Sequence, residues 1–285
     1  MVRQLSILVN AILIMLSQPL MADDSDKWRT LDNSNLVLVT LPHGQAVIEL
    51  APQFSPTHVA SFKSSVQQGI YDGNTFYRVI DGFVAQVGPR EAEDETKQVA
   101  PLKLEGEWEI DQQWQMTLVQ SPDLFAEQTG FKDGFALASN PSENKAWLAH
   151  CPGVVAMARG NLADSATNHF YITNGQAPRY LDRIMTIFGR VVYGMEHVQA
   201  IQRTQVVEGD DAIVESQFTS LIKMQLMSRL PAEKQWILAV ENTQSDAFKE
   251  KLAQRKNRQH AFFFKKPPPV LDICQVPLNT KLIKR

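Results

Sequence analysis

Residues 76–88 read FYRVIDGFVAQVG. Two short apolar-rich runs, 76–80 and 84–87, are broken by Asp81 and Gly82, the pattern of two strands joined by a tight turn. Strict alternation places Phe76, Arg78 and Ile80 on one face, with Tyr77 and Val79 on the other. An arginine on an otherwise apolar face needs a reason, because its charge is costly to bury without partners. From this segment alone two readings stand: an arginine at a sheet rim paired with a carboxylate, or one held for a ligand.

The segments on either side extend the same architecture. Residues 35–50 form a hairpin, with NLVLVT and QAVIEL separated by Pro42, His43 and Gly44. A helix follows, with Ser55 as N-cap, Pro56 at the first position, Gly69 as terminator and Val59, Phe62 and Val66 on one apolar face. Further on, VVAMA (154–158) and HFYITN (169–174) are strands around the polar loop RGNLADSAT, TIFGRVVYG (186–194) is another strand, and GMEHVQAIQ (194–202) is a short helix. At least seven short strands against two or three helices point to a mainly β protein, an antiparallel barrel or sandwich with helices covering its ends. Two regions depart from this pattern. Residues 89–150 open on the acidic EAEDE and contain Trp108 and Trp114. They are too long for a bare loop, so some strand and a short helix around Pro122 to Thr129 are expected. After Gly209, FTSLIKMQL (218–226) alternates as a strand, PAEKQWILAVENT (231–243) and SDAFKEKLAQRKNRQHAF (245–262) are helix-like, and KPPPV (266–270) enforces an extended course.

The chain has 285 residues and a formal net charge of −3, which gives no electrostatic footprint for nucleic acid. Its first residues combine Arg3, an apolar stretch from Leu5 to Leu20, and Ala22 before the acidic Asp23, the form of a signal peptide cleaved after Ala22. The protein is therefore expected to be exported, with no membrane span after cleavage and an uncleaved anchor as the alternative. In an oxidising compartment the two cysteines, Cys151 and Cys274, are expected to pair and clip the C-terminal tail to the fold, with two buried thiols as the alternative. Six scattered histidines offer no metal-ligand spacing, and no cofactor or metal is expected. Between Lys249 and Lys266 lie seven basic residues, one acidic residue and Phe262, Phe263 and Phe264. This stretch reads as contact with an anionic membrane or a client protein, or as a solvated helix whose aromatics pack on the barrel.

AMARG (156–160) and DSATNHFYI (164–172) repeat the combination of a polar loop and a strand, with His169 and Tyr171 on one face and Phe170 and Ile172 on the other. A concave β surface bearing an arginine, a glutamine, a histidine and aromatics suits an apolar ligand needing a few oriented hydrogen bonds. No serine or cysteine sits in a nucleophile elbow. On these segments, together with GQAVIEL (44–50), SPTHVASFKSSVQQGIYDGNTFYRVIDGFVAQVG (55–88), GVVAMARGNLADSATNHFYITN (153–174) and APRYLDRIMTIFGRVVYGMEHVQAI (177–201), the chain resembles the cyclophilin family of peptidyl-prolyl isomerases.

The resemblance implies a cyclophilin-like eight-stranded antiparallel β-barrel capped by helices, with additional α/β elements and the peptide lying along an outer face. It places Arg78 at the catalytic arginine and Gln86 at the glutamine that contacts substrate backbone. Phe83, Val84, Tyr171 and Leu181 fall in the pocket for the proline ring, Ala158 and Arg159 on the strand that pairs with substrate backbone, and Tyr180 at the rim aromatic. His169 stands where the family has glutamine, as a candidate to orient Arg78 or donate to peptide or as a satisfied structural histidine. Met185 stands where the family has histidine. Together with the signal peptide over 1–22, this gives a cyclophilin-like domain over 23–208 with an insertion at 89–150 outside the family pattern, and an extension over 209–285 expected to pack on the barrel; the bacterial appearance of the core puts the exported protein in the periplasm. The implied partners are proline-containing, unfolded or partly folded exported polypeptides, met by a monomer. A catalytically weak proline-peptide-binding or chaperone module is the alternative function.

Overall fold

The computed structural model of the protein describes residues 24–89, 100–204 and 218–285. The expected signal peptide, the EAEDE run and the boundary near Gly209 lie outside the described residues. In chain order the elements are β1 (Trp28–Thr30), β2 (Leu36–Leu41), β3 (Gly44–Leu50), α1 (Pro56–Gln67), β4 (Phe76–Ile80) and β5 (Val84–Val87). The 89–150 region then supplies β6 (Trp108–Glu109), β7 (Thr117–Gln120), β8 (Gln128–Lys132), β9 (Phe135–Asn140) and β10 (Lys145–Leu148). The core resumes with β11 (Val154–Met157), β12 (Phe170–Thr173), β13 (Ile187–Tyr193) and α2 (Met195–Gln199). The chain finishes with β14 (Lys223–Leu226), β15 (Ile237–Glu241), α3 (Asp246–Asn257) and β16 (Thr280–Lys284).

Eight strands form one antiparallel sheet in the order β14-β2-β3-β13-β11-β12-β5-β4. The sheet curls until its ends meet, where Thr75 bridges Ser220 and the Phe76 amide donates to the Thr219 carbonyl. Alternation sorts its side chains. Val37, Val39, Ile48, Leu50, Val79, Ala85, Val155, Phe170 and Phe188 point inward and meet Val59, Phe62 and Val66 of α1, all in one buried cluster. Helix α1 starts at Pro56, as expected, but its cap differs from expectation. Ser55 makes no side-chain capping bond. Instead Glu105 reaches over from the 89–150 region and accepts the Thr57 and His58 amides, both at 3.0 Å. That region therefore terminates a helix of the core.

Many outward-facing side chains are buried as well, because the additions cover them, while Arg78 and Gln86 stay partly exposed. Residues 108–148 form a five-stranded antiparallel sheet, β6-β10-β9-β8-β7. Its Val119, Phe131, Phe135 and Leu137 share a cluster with the outer-face Val84, Val154, Ala156, Tyr171 and Ile187, and with Phe248, Leu252, Ile273 and Val276 of the C-terminal part. A third sheet, β1-β15-β16, joins the two ends of the described chain and packs Trp236, Leu238 and Val240 on Leu36, Leu38 and Val47. The Cys151–Cys274 disulfide links residues 123 positions apart and ties the C-terminal part to the barrel, as expected.

Three local expectations are corrected. Pro122 to Thr129 is not helical: the Asp123 carboxylate accepts the Phe125 amide in a turn, and from Gln128 the chain pairs with both β7 and β9. Residues 231–243 are a short 3-10 turn followed by β15, because Ile237–Glu241 is enclosed between β1 and β16 and its buried Leu238 and Val240 alternate. Phe262 and Phe264 do not pack on the barrel, being 77% and 88% exposed.

Candidate active site

The strand pair that decides the fold contains an irregularity that its alternation conceals. Register between β4 and β5 shifts between Phe76 and Arg78, so Phe76 pairs with Val87, while Arg78, Val79 and Ile80 pair with Gln86, Ala85 and Val84. The extra residue reverses the facing of part of the strand. Phe76 and Val79 therefore both point into the barrel, and Arg78 stands outside, not on the face of Phe76 as alternation implied. Across the next ladders Gln86 lies opposite Tyr171, and Tyr171 opposite Ala156. Arg78, Gln86 and Tyr171 thus form a row across three strands on the outer face.

From Arg78 and Gln86 of this row a chain of hydrogen bonds runs to Tyr77 and His169. Arg78 Nη1 donates to Gln86 Oε1 at 3.3 Å, and Gln86 Nε2 donates to Tyr77 Oη at 2.6 Å. Tyr77 Oη lies 2.8 Å from His169 Nδ1. Because Tyr77 already accepts from Gln86, its hydroxyl proton is free to point at His169, which asks for an imidazole with Nδ1 unprotonated. Burial pushes the Tyr77 pKa up, against the Gln86 hydrogen bond and the Arg78 charge, so the phenol keeps its proton. Gly88 makes the arrangement possible: a Cβ there would lie 2.3 Å from His169 Nδ1.

Phe83 flanks the arginine, with the Arg78 guanidinium carbon 5.7 Å from its ring centre. The turn carrying Phe83 is pinned by the Asn174 amide, which donates to the Phe83 carbonyl, and by the Gln176 amide, which donates to the Gly82 carbonyl. Beneath lie Val84 and Tyr171, the latter only 4% exposed, with Phe83, Ala158 and Met185 packed against the same cluster. Leu181 is half-buried and Tyr180 stands out at the rim, 67% exposed. The Ala158 amide donates to the His169 carbonyl, completing the strand register. Arg159 bends back so that Nε donates to the Ile184 carbonyl and Nη1 to the Gly160 carbonyl. Its side chain therefore supports the loop.

Behind the pocket is a buried polar group that sequence reading missed. His150 Nε2 lies 3.1 Å from Tyr171 Oη, and Asp182 accepts from the His150 amide, Trp147 Nε1 and Arg179 Nε. Burial raises the Asp182 pKa, but the His150 hydrogen bond and the Arg179 charge outweigh it and hold the carboxyl below its usual range. Only Asp182, Arg179 and Tyr171 lie in recognised segments; His150 and Trp147 belong to the irregular stretch, where nothing in the pattern marked them. The hydroxyl of Tyr171 on an otherwise apolar strand was the available signal, since a buried hydroxyl needs a partner.

Half-buried Phe83 over the buried Val84 and Tyr171, beside a guanidinium and a carboxamide, fits a reaction in which no covalent bond is broken. Residues 36–224 match the family described as cyclophilin type peptidyl-prolyl cis-trans isomerase/CLD. The chain belongs to this family and is an enzyme of that class. It is 31% identical over 179 residues to a probable peptidyl-prolyl cis-trans isomerase of Brucella suis biovar 1 (strain 1330), covering 62% of this chain and 76% of the relative. It is 28% identical over 177 residues to peptidyl-prolyl cis-trans isomerase A of Dickeya dadantii (strain 3937), covering 60% and 73%. The crystal structure of cyclophilin AquaCyp293 from Hirschia baltica superposes with a TM-score of 0.75 at 26% identity, over 92% of this chain and 96% of that one. That likeness therefore takes in much of the additions as well as the barrel.

Proposed function

We propose that Arg78 and Gln86 are the centre of catalysis, and that the protein isomerises prolyl bonds in exported polypeptides. The observation that carries the site assignment is the cross-strand row of Arg78, Gln86 and Tyr171, with Arg78 hydrogen-bonded to Gln86 beside the Phe83 ring. Amide conjugation sets a rotation barrier of about 18–20 kcal/mol, and isomerisation at proline takes tens to hundreds of seconds unaided. Lowering that barrier requires tighter binding of the twisted bond than of either planar form. As the bond twists, the imide nitrogen loses conjugation and becomes an acceptor, to which Arg78 donates in a site dried by Phe83, Val84 and Tyr171. Gln86, fixed by Tyr77, and the main chain at Ala158 hold the flanking peptide. Leu181 closes the ring pocket, Tyr180 covers its rim, and His169 acts through Tyr77.

Two features support action on exported proteins: the N-terminal sequence up to Ala22, and a disulfide between the only two cysteines, which suits an oxidising compartment. The test is proline-limited refolding of a secreted protein with and without this enzyme, combined with N-terminal sequencing of the chain recovered from the periplasm. Acceleration of the slow phase by the parent, none by Arg78→Ala, and a mature start at Asp23 are expected. An uncleaved cytoplasmic chain would refute the export reading, and equal acceleration by the variant would refute the site.

A further inference from the structure

From Lys251 to Leu271 the chain carries Lys251, Arg255, Lys256, Arg258, Lys265 and Lys266 and no aspartate or glutamate, although the whole chain is net acidic at −3. The structure gives this basic stretch a defined shape. Helix α3 stops at Asn257 because Arg258 adopts a left-handed conformation, φ 42°. The Arg258 side chain then clamps the returning chain: Nη1 donates to the Pro268 carbonyl at 2.7 Å and Nη2 to the Val270 carbonyl at 3.2 Å. A turn closed by the Phe263 amide on the His260 carbonyl sets Phe263 edge-on against Phe262. Buried Leu271 and Ile273 and the Cys274 disulfide anchor the far end. What projects between these fixed points is a loop with Phe262 and Phe264 at its tip, 77% and 88% exposed, and exposed Lys265 and Lys266 beside them.

We propose that this loop is an interfacial site for an anionic phospholipid surface. Exposed aromatic rings next to ammonium groups match the layering of a membrane interface, apolar below and phosphate above. A protruding tip needs no complementary cavity in a fluid interface, whereas a folded partner must supply one. Pro267, Pro268 and Pro269 have no amide donors, so this edge offers an extended client little strand pairing. Charge complementarity selects anionic headgroups. Lys251 is already neutralised by Glu241, leaving Lys256, Lys265 and Lys266 among the lysines to meet phosphate.

The test is flotation with vesicles of phosphatidylglycerol and phosphatidylcholine against phosphatidylcholine alone, using protein lacking residues 1–22 so that the apolar N-terminal stretch cannot itself partition. Binding to the anionic vesicles that weakens with salt is expected. The double variant Phe262→Ala/Phe264→Ala should lose at least about tenfold in partitioning, and Lys265→Glu/Lys266→Glu a comparable factor. Both should keep the parent's melting temperature and its isomerisation rate on a short soluble peptide. No flotation of the parent, or equal flotation of parent and ring variant, would overturn the proposal. Absent vesicle binding together with ring-dependent binding of a reduced, unfolded protein would overturn it in favour of a client site.

Discussion

Arg78, Gln86, Tyr77 and His169 pass hydrogen bonds in one direction across the groove, and the geometry of each depends on the next. Gln86 is held with its carbonyl toward Arg78 only while its amide has Tyr77 to donate to. Tyr77→Phe removes that acceptor and frees the carboxamide to rotate. Loss of one such oriented bond is worth about 1 kcal/mol, so kcat/KM should fall roughly fivefold with little change in melting temperature. Steady-state kinetics beside a thermal melt check this, and an unchanged kcat/KM would remove Tyr77 from the positioning role. Sequence resemblance found Arg78 and Gln86 but gave Tyr77 no part in the site. Alternation alone put Arg78 on the same face as Phe76, because a bulge leaves no mark in a pattern of period two.

Helix α1 is capped by Glu105, which comes after strands β4 and β5 in sequence, and this junction should set the acid limit of stability. Burial raises the Glu105 pKa, but hydrogen bonds from the His58 amide and ring and the Thr57 amide outweigh it, holding the carboxyl below its ordinary value. His58 is fully buried, and desolvation lowers its pKa despite Glu105. Both shifts act in the same direction. A neutral buried histidine costs stability as pH falls from about 6.5 through its lowered folded value. A depressed carboxyl contributes stability above about 4.5 and loses it as pH falls through its folded value. Glu105→Gln should destabilise by about 1–2 kcal/mol at neutral pH and flatten the loss below pH 5. Denaturant midpoints across pH 4–7 test this, and parallel curves for parent and variant would contradict it. Elements with strong local signals, such as α1 and the β2–β3 hairpin, were legible because period and end signals agree. The strand at 237–241 was not, since its identity comes from β1 and β16, which lie far away in sequence.

At the scale of the molecule, the additions form a second layer over the outside of the barrel, and three kinds of contact hold it there. Apolar packing runs from Tyr171 and Val84 to Phe131 and Leu137. Glu49, nearly buried, accepts from both Arg29 and Arg190, while Arg29 also reaches the Asp133 carbonyl. The disulfide closes a separation of 123 residues, so Cys151→Ser/Cys274→Ser should lower stability by up to about 4–5 kcal/mol. Limited proteolysis should then cut first between Gln259 and Pro269, and an unaltered melting temperature would contradict the clip. The pairing was foreseeable from compartment and count, but the sheet that covers the pocket floor was not, because residues 108–148 carry weak periodicity. The measurement closest to the centre of the account is the rate of cis/trans exchange in a short proline peptide, for the parent and Arg78→Ala at equal folded fraction. A fall of at least about a hundredfold in kcat/KM with unchanged stability is expected for a group that acts in the transition state. Equal rates in the two proteins, or a loss matched by loss of fold, would show that Arg78 does not carry the reaction.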